Sequence, residues 1–150
     1  MGNRVDVFDS YYDAFGTNII QKMKVFGEKV GIAFQIKDDL FDYTQSTLIG
    51  KPTGIDIREQ KMTLPLIFTL NIVTPKIKNK IINVIKNHNK NPEKVEEIID
   101  IVIKSGGVDY AKKSMMMYQK QALEILLGFP KNKYRDSLEK LVNYVIDRKK

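Results

Sequence analysis

At 150 residues, 43% of them hydrophobic, the chain is long enough to bury the core of one domain and gives no reason to expect a second. Its lack of cysteine excludes disulfides and thiolate metal sites, which agrees with a reducing compartment. The net charge of +7 is uneven, because the residues up to Pro75 carry eight Lys/Arg against nine Asp/Glu, which leaves seventeen against nine, or +8, in the remainder.

In residues 1 to 18, aspartates alternate with apolar residues without a clear helical or strand period. We predict at most a short helix there, around Asp9–Phe15. They resemble neither a signal peptide nor a transit segment, and no apolar run in the chain is long enough to cross a bilayer, so we expect a soluble cytoplasmic protein. A long helix, capped by Thr17 or Asn18, is predicted to end near Tyr43, and a loop to follow to about Gln60. The apolar face of this helix consists of Met23, Phe26, Val30, Ala33, Leu40 and Phe41.

The opposite face of the long helix is polar within an arc of roughly 100°. It carries Gln35, Asp38, Asp39 and Asp42. Carboxylates at this spacing repel one another and meet the unfavourable end of the helix dipole, so a cation should compensate them. A solvated acidic face is the common explanation, but here the flanking residues are apolar, and Gly27 and Gly31 leave room beside the carboxylates. Oxygen ligands without histidine or cysteine suit a hard cation such as Mg²⁺, completed by substrate phosphates.

The loop after the helix supplies positive charge. Gly50 and Gly54 permit unusual backbone angles, and Lys51 offers a mobile cation suited to phosphate. Lys61 adds a second cation just before the next helix.

The rest of the chain has helical periodicity throughout. Thr63 is predicted to cap the next helix, and Pro75 to end it. Asn91 caps another helix that has proline at its first position, and the apolar stripe of this helix consists of Val95, Ile98, Ile99, Val102 and Ile103. Gly106-Gly107 closes this helix and opens the next, and Pro130 separates that one from the last helix. These segments predict an all-α chain whose helices pack antiparallel.

The order of the motifs is specific. The three runs are Phe34-Gln35-Ile36-x-Asp38-Asp39-x-x-Asp42-Tyr43, Gly50-Lys51-x-x-Gly54-x-Asp56 and Lys61-x-Thr63-Leu64-Pro65-Leu66-Ile67. They closely resemble the second aspartate-rich region of the trans-isoprenyl diphosphate synthases, the polyprenyl synthetase family, and most of all its polyprenyl (octaprenyl-type) branch. Gly106-Gly107-Val108-x-Tyr110-Ala111 and the tail from Leu141 to Lys150 are also similar to that family's C-terminal region. The resemblance covers residues from about 20 to 150, while residues 1–19 diverge.

The resemblance implies an antiparallel helical bundle of the isoprenoid synthase (terpenoid synthase) type, incomplete in this chain. It also implies Mg²⁺-dependent condensation of isopentenyl diphosphate with an allylic diphosphate, with release of pyrophosphate, in a homodimer or in association with a missing N-terminal half. Asp38 and Asp42 would bind Mg²⁺, with Asp39 bound directly or through water. Lys51 and Lys61 would hold the diphosphate, and Gln35 would lie beside the first carbons of the allylic chain.

The first aspartate-rich motif and the basic isopentenyl site of the family have no match here. We therefore expect the C-terminal part of a synthase, arising from truncation, a split gene or a degenerate copy, and inactive by itself. The alternatives are a non-catalytic partner or regulatory subunit of a full-length synthase, a terpene-cyclising lineage of the same fold, and a plain helical interaction module. Nucleic-acid binding is the weakest explanation of the positive charge, because the lysines are scattered and no binding motif accompanies them.

Overall fold

A computed structural model describes residues 17–44 and 53–148 of the chain. This part is helical and contains no strand, so the predicted all-α fold is confirmed. None of the described helices is both long and apolar enough to cross a bilayer. The helix predicted around Asp9–Phe15 lies outside the described residues. The helices are α1 Thr17–Phe41, α2 Ile55–Arg58, α3 Leu64–Ile72, α4 Pro75–Asn87, α5 Pro92–Lys104, α6 Gly107–Leu127 and α7 Lys133–Asp147.

The helix boundaries follow the turn residues closely, with two differences. The short helix α2 lies inside the segment predicted to be loop. Thr63 occupies the N-cap position of α3, but its side chain makes no capping hydrogen bond. Its hydroxyl instead lies 3.3 Å from the Tyr43 hydroxyl, which joins the end of α1 to the start of α3. The cap predicted at Asn91 is present, because its side chain accepts a hydrogen bond from the backbone N–H of Lys94.

The central pair of helices is α1 and α6. Phe26 of α1 belongs to one apolar cluster with Ala122 and Leu126 of α6. Further along α1, the ammonium of Lys29 lies 5.2 Å from the centre of the Tyr118 ring. Residue numbers thus rise along one helix as they fall along the other, and the pair is antiparallel.

The core has two parts. The main cluster joins α1 to the helices that follow and includes Ile146 from the last turn of α7. Its most deeply buried side chains include Ile57, Leu66, Ile81, Ile98 and Val102. A smaller cluster consists of Phe26, Ala122, Leu126 and Val142. It packs the middle of α7 against α1 and α6. As a result, α7 is fixed at two points, and its C-terminal end lies against the main core.

Helices α3 and α6 approach each other closely at Gly107. A Cβ atom at this position would lie 2.5 Å from the carbonyl oxygen of Pro65 and 2.6 Å from the Thr69 hydroxyl. Thr69 is fully buried, and its hydroxyl donates to that same carbonyl of Pro65 at 2.9 Å. The Thr69 and Ser105 hydroxyl oxygens are also 2.9 Å apart. Glycine is required here by the close approach of another backbone.

Candidate functional site

The C-terminal end of α1 carries the three aspartates, but it presents them differently. Asp38 and Asp39 are partly exposed, whereas Asp42 is only 8% exposed. The reason is that α1 ends at Phe41, so that Asp42 lies past the last helical residue and leaves the face that the other two share. The helical wheel, extended through Asp42, therefore grouped a buried carboxylate with two accessible ones.

Asp42 organises the segment that follows α1. Its Oδ1 accepts a hydrogen bond from the backbone N–H of Ile55 at 2.7 Å, and its Oδ2 accepts one from Asp56 at 3.1 Å. Its backbone carbonyl accepts a third from Gly54, 3.2 Å away, where φ is +77°. Burial raises the pKa of Asp42 and the charge of Asp56 adds to the rise, while the backbone N–H donors oppose it. Asp42 thus fixes the start of α2 beside the end of α1.

Asp39 lies between Gln35 and the start of α3. The Gln35 amide donates to Asp39 Oδ1 at 3.1 Å, the i to i+4 contact that the shared helical face predicts. Burial raises the pKa of Asp39 above its ordinary value, and the neighbouring charges of Asp56 and Asp38 act in the same direction. The hydrogen bond from Gln35 and the backbone N–H of Leu64 lower this pKa in part.

Asp38 is paired with Arg148, which follows the last residue of α7. The guanidinium donates from Nη2 to Asp38 Oδ1, and the side chains of arginine and aspartate are 26% and 38% exposed. The guanidinium carbon lies 4.3 Å from the centre of the Phe34 ring and 5.7 Å from that of Phe41. No role for Arg148 follows from the sequence, because the two partners are 110 positions apart and no periodicity connects them.

Of the two lysines predicted to bind diphosphate, Lys51 lies outside the described residues. The ammonium of Lys61 lies 2.5 Å from Glu59 Oε2 and 4.0 Å from Asp56 Oδ1, and its side chain is 60% exposed. The hydrogen bond and charge of Glu59 raise the pKa of Lys61. Because Asp56 also donates its backbone N–H to Asp42, Lys61 is connected to the end of α1 through Asp56.

The two glycines of α1, Gly27 and Gly31, lie on the side of the helix where the sequence predicted room beside the carboxylates. A Cβ atom added at Gly27 or at Gly31 would meet no atom of the described residues within 4 Å, and both glycines are exposed. Phe34, also partly exposed, continues the same strip toward Asp38. This strip is therefore open at the two glycines, while nearer Asp38 the Arg148 guanidinium lies against the Phe34 ring.

The donor set determines which metal the site fits. The side chains at the end of α1 offer carboxylate and amide oxygens, the ligands that Mg²⁺ prefers. Within residues 17–44 and 53–148, no group of three or more acidic, histidine or cysteine side chains stands close enough to hold a metal ion by itself. The aspartates fit one side of a Mg²⁺ ion whose remaining ligands are water and phosphate oxygens, which is the usual way in which Mg²⁺ is bound beside a phosphorylated substrate.

Comparison with known proteins gives a consistent result. The family model described as polyprenyl synthetase matches residues 10–102. Solanesyl-diphosphate synthase 2, chloroplastic, from Oryza sativa subsp. japonica is 32% identical over 138 residues, which are 91% of this chain and 33% of that protein.

Two solved structures have the same fold. Geranylgeranyl pyrophosphate synthase from Bacteroides thetaiotaomicron has a TM-score of 0.80 and 33% identity, over 89% of this chain and 44% of that one. Polyprenyl synthase from Caulobacter crescentus CB15, in complex with calcium and isoprenyl diphosphate, has a TM-score of 0.73 and 29% identity, over 85% and 39%.

Fold and matched relatives together define the class as the all-α trans-prenyl diphosphate synthases. This chain belongs to the polyprenyl synthetase family, as its motifs predicted. It spans about a third of the length of the curated relative. The relatives are prenyltransferases that make products of different chain lengths.

Proposed function

We propose that this chain provides the second aspartate-rich site of a polyprenyl (octaprenyl-type) diphosphate synthase. The reaction is the condensation of isopentenyl diphosphate with an allylic diphosphate, with release of pyrophosphate. The observation that carries the proposal is the pair Asp38 and Asp39, which stay partly exposed on α1, at the end of a strip that runs through Phe34 to the open positions Gly31 and Gly27. A homodimer or association with an N-terminal half, and a cytoplasmic location, stay part of the proposal.

In this proposal the carboxylates of Asp38 and Asp39 hold Mg²⁺ together with diphosphate oxygens. Asp42, which the motif also assigns to Mg²⁺, uses both carboxylate oxygens to accept hydrogen bonds from the backbone at the start of α2 and so positions the segment that begins at Gly54. As a ligand it would act through water or after exchange of these hydrogen bonds. When bound, Mg²⁺ supplies stabilisation of the negative charge that develops on the leaving diphosphate. A related structure with calcium and isoprenyl diphosphate supports this choice of ligand class.

Lys51 and Lys61 hold the diphosphate in the same proposal. For Lys61 this requires an exchange of partners, because its ammonium contacts Glu59 and Asp56. The exchange has a small cost, since pairs between exposed side chains contribute little stability. Gln35 places a neutral amide dipole one turn before Asp39, where it faces the allylic end of the substrate.

The test is the thermal stability of the chain with Mg²⁺ and pyrophosphate. At a concentration tenfold above Kd, binding contributes about 1.4 kcal/mol. For a protein of 150 residues this raises Tm by about 3–6 °C. We expect Asp38→Ala to abolish this rise and to leave the fold intact, which the helical circular dichroism would show.

The matched control is Asp100→Ala, which removes an exposed aspartate from α5 and should keep the full rise in Tm. Equal Mg²⁺-pyrophosphate affinity in the parent and in Asp38→Ala would reject the assignment of the metal site. A parent protein that shows no shift at all would instead agree with a helical module that binds no diphosphate.

A further inference from the structure

The C-terminal end of α7 closes over the carboxylate at the end of α1. Arg148 donates to Asp38, and its guanidinium lies on the Phe34 ring at 4.3 Å. Ile146, two residues earlier, is 6% exposed and belongs to the main core. The packing of Ile146 therefore fixes the last turn of α7 against the core. The contact is therefore built by two helices and is not a chance pairing of two freely exposed side chains.

The same carboxylate cannot serve a guanidinium and a magnesium ion equally well. A cation beside Asp38 would stand close to the positive charge of Arg148, and the two would compete for Asp38 Oδ1. Resting on the function proposed above, we propose that Arg148 is a latch that holds Asp38 in the ligand-free protein. Loading of the site with Mg²⁺ and diphosphate then requires the guanidinium to leave Asp38, and this couples occupancy of the site to the end of α7.

The contact between Arg148 and Asp38 has a modest strength, which permits the guanidinium to leave Asp38. Both side chains are partly exposed, and such pairs have modest strength, to which the contact with the Phe34 ring adds a similar amount. The Nε atom of Arg148 is buried and has no hydrogen-bond partner among the described residues. Movement of the guanidinium off Asp38 would allow this N–H to be hydrated, which offsets part of the lost contact.

Titration calorimetry with Mg²⁺ and pyrophosphate tests the competition. We expect Arg148→Gln to bind roughly fivefold more tightly than the parent, because the occupied carboxylate becomes free. Arg148→Lys retains the charge but not the planar stack on Phe34, and its affinity should lie between the two. Lys140→Gln, which removes one exposed positive charge from the same helix, is the control and should match the parent. Equal or weaker binding by Arg148→Gln would overturn the latch and make Arg148 a neutral residue or a ligand for the anion.

A second measurement needs no ligand and so separates the latch from the proposed function. Amide hydrogen exchange of residues 141–148 in EDTA should be faster in Asp38→Ala than in the parent, because the last turn of α7 loses its contact. The same substitution at Asp100 should not change it. Unchanged exchange in Asp38→Ala would overturn the latch. Faster exchange in a protein that fails to bind Mg²⁺-pyrophosphate would support the contact and contradict only the proposed function.

Discussion

Asp39 and Asp42 are the same residue type three positions apart, yet their side chains have different hydrogen-bond partners and different exposure. Asp42 lies past the end of α1 and gives both carboxylate oxygens to backbone N–H groups of the next segment. Asp39 stays on the helix, partly exposed, and accepts hydrogen bonds from the Gln35 amide and from the backbone N–H of Leu64. Burial raises the pKa of both carboxyl groups, so each loses its proton at a higher pH in the folded protein than in the unfolded chain.

The raised pKa of Asp39 predicts a pH dependence of stability. The folded state holds this proton more tightly than the unfolded state, so the ionisation of Asp39 lowers the free energy of unfolding as the pH rises from its ordinary pKa of 3.8 through the higher folded value. Asp39→Asn removes this effect. We expect the Tm of Asp39→Asn, relative to the parent, to be higher at pH 7.5 than at pH 4, measured in EDTA by circular dichroism.

The control for this experiment is Asn71→Ala at an exposed position of α3, which adds and removes no titrating group, so its difference in Tm should be the same at both pH values. A relative Tm of Asp39→Asn that falls between pH 4 and pH 7.5 would mean that the charged form of Asp39 stabilises the fold, contrary to its burial.

At this residue scale the sequence predicted part of the site. Helical spacing was sufficient to place Gln35 beside Asp39, because residues i and i+4 are neighbours on any helix. It was not sufficient for Asp42, whose burial depends on where α1 ends, nor for Arg148, whose contact with Asp38 depends on the tertiary fold. The partners of Lys61 were also missed, since Glu59 and Asp56 meet it only through the turn that follows α2.

At the scale of helices, glycine occurs in two different settings: where two helices approach each other closely, and on an exposed face. Gly107 is buried where α6 meets α3, and a side chain there would collide with the Pro65 carbonyl. Gly31 is exposed on α1, and a Cβ atom there would lie within 4 Å of no atom in the described part of the chain. The sequence predicted the helices around both positions, because apolar periodicity and capping residues are local, and it predicted the open space at Gly31. It did not predict the backbone contact that requires glycine at position 107, because that contact depends on how α3 and α6 pack.

The two glycines make a matched pair of substitutions. We expect Gly107→Ala to lower the free energy of unfolding by about 1–3 kcal/mol, because α3 must move away from the added methyl group. Gly31→Ala should raise it by about 0.5–1 kcal/mol, because alanine loses less backbone entropy in the middle of a helix. Urea unfolding followed by circular dichroism measures both. A stabilising Gly107→Ala would contradict the close contact between α3 and α6.

At the scale of the whole molecule, the main core gathers side chains from successive helices onto α1 and α6. The sequence predicted its members on α5 well, because Val95, Ile98, Ile99 and Val102 recur at helical spacing and are all buried. Ile103 belongs to the same predicted stripe but is 41% exposed. Periodicity gives the direction of an apolar face, whereas its width is set by the neighbours that cover it.

This difference between two isoleucines of one helix gives a test of the core. Ile98→Ala, at a fully buried position, should lower the free energy of unfolding by about 2–5 kcal/mol through the lost contacts and the cavity. Ile103→Ala, the same change at an exposed position, should cost less than about 1 kcal/mol. Similar losses in the two variants, measured by urea unfolding, would show that α5 is rotated relative to this arrangement.

The return of α7 to the end of α1 also makes the chain convenient for spectroscopy. Because the natural sequence has no cysteine, a pair of spin labels can be attached at two engineered thiols without competing sites. One at Asn18, near the start of α1, lies roughly 30 Å along the helix from Asp38, given 1.5 Å per residue. A partner label at Asp147 would then report, as a change in a single long distance, whether the last turn stays docked.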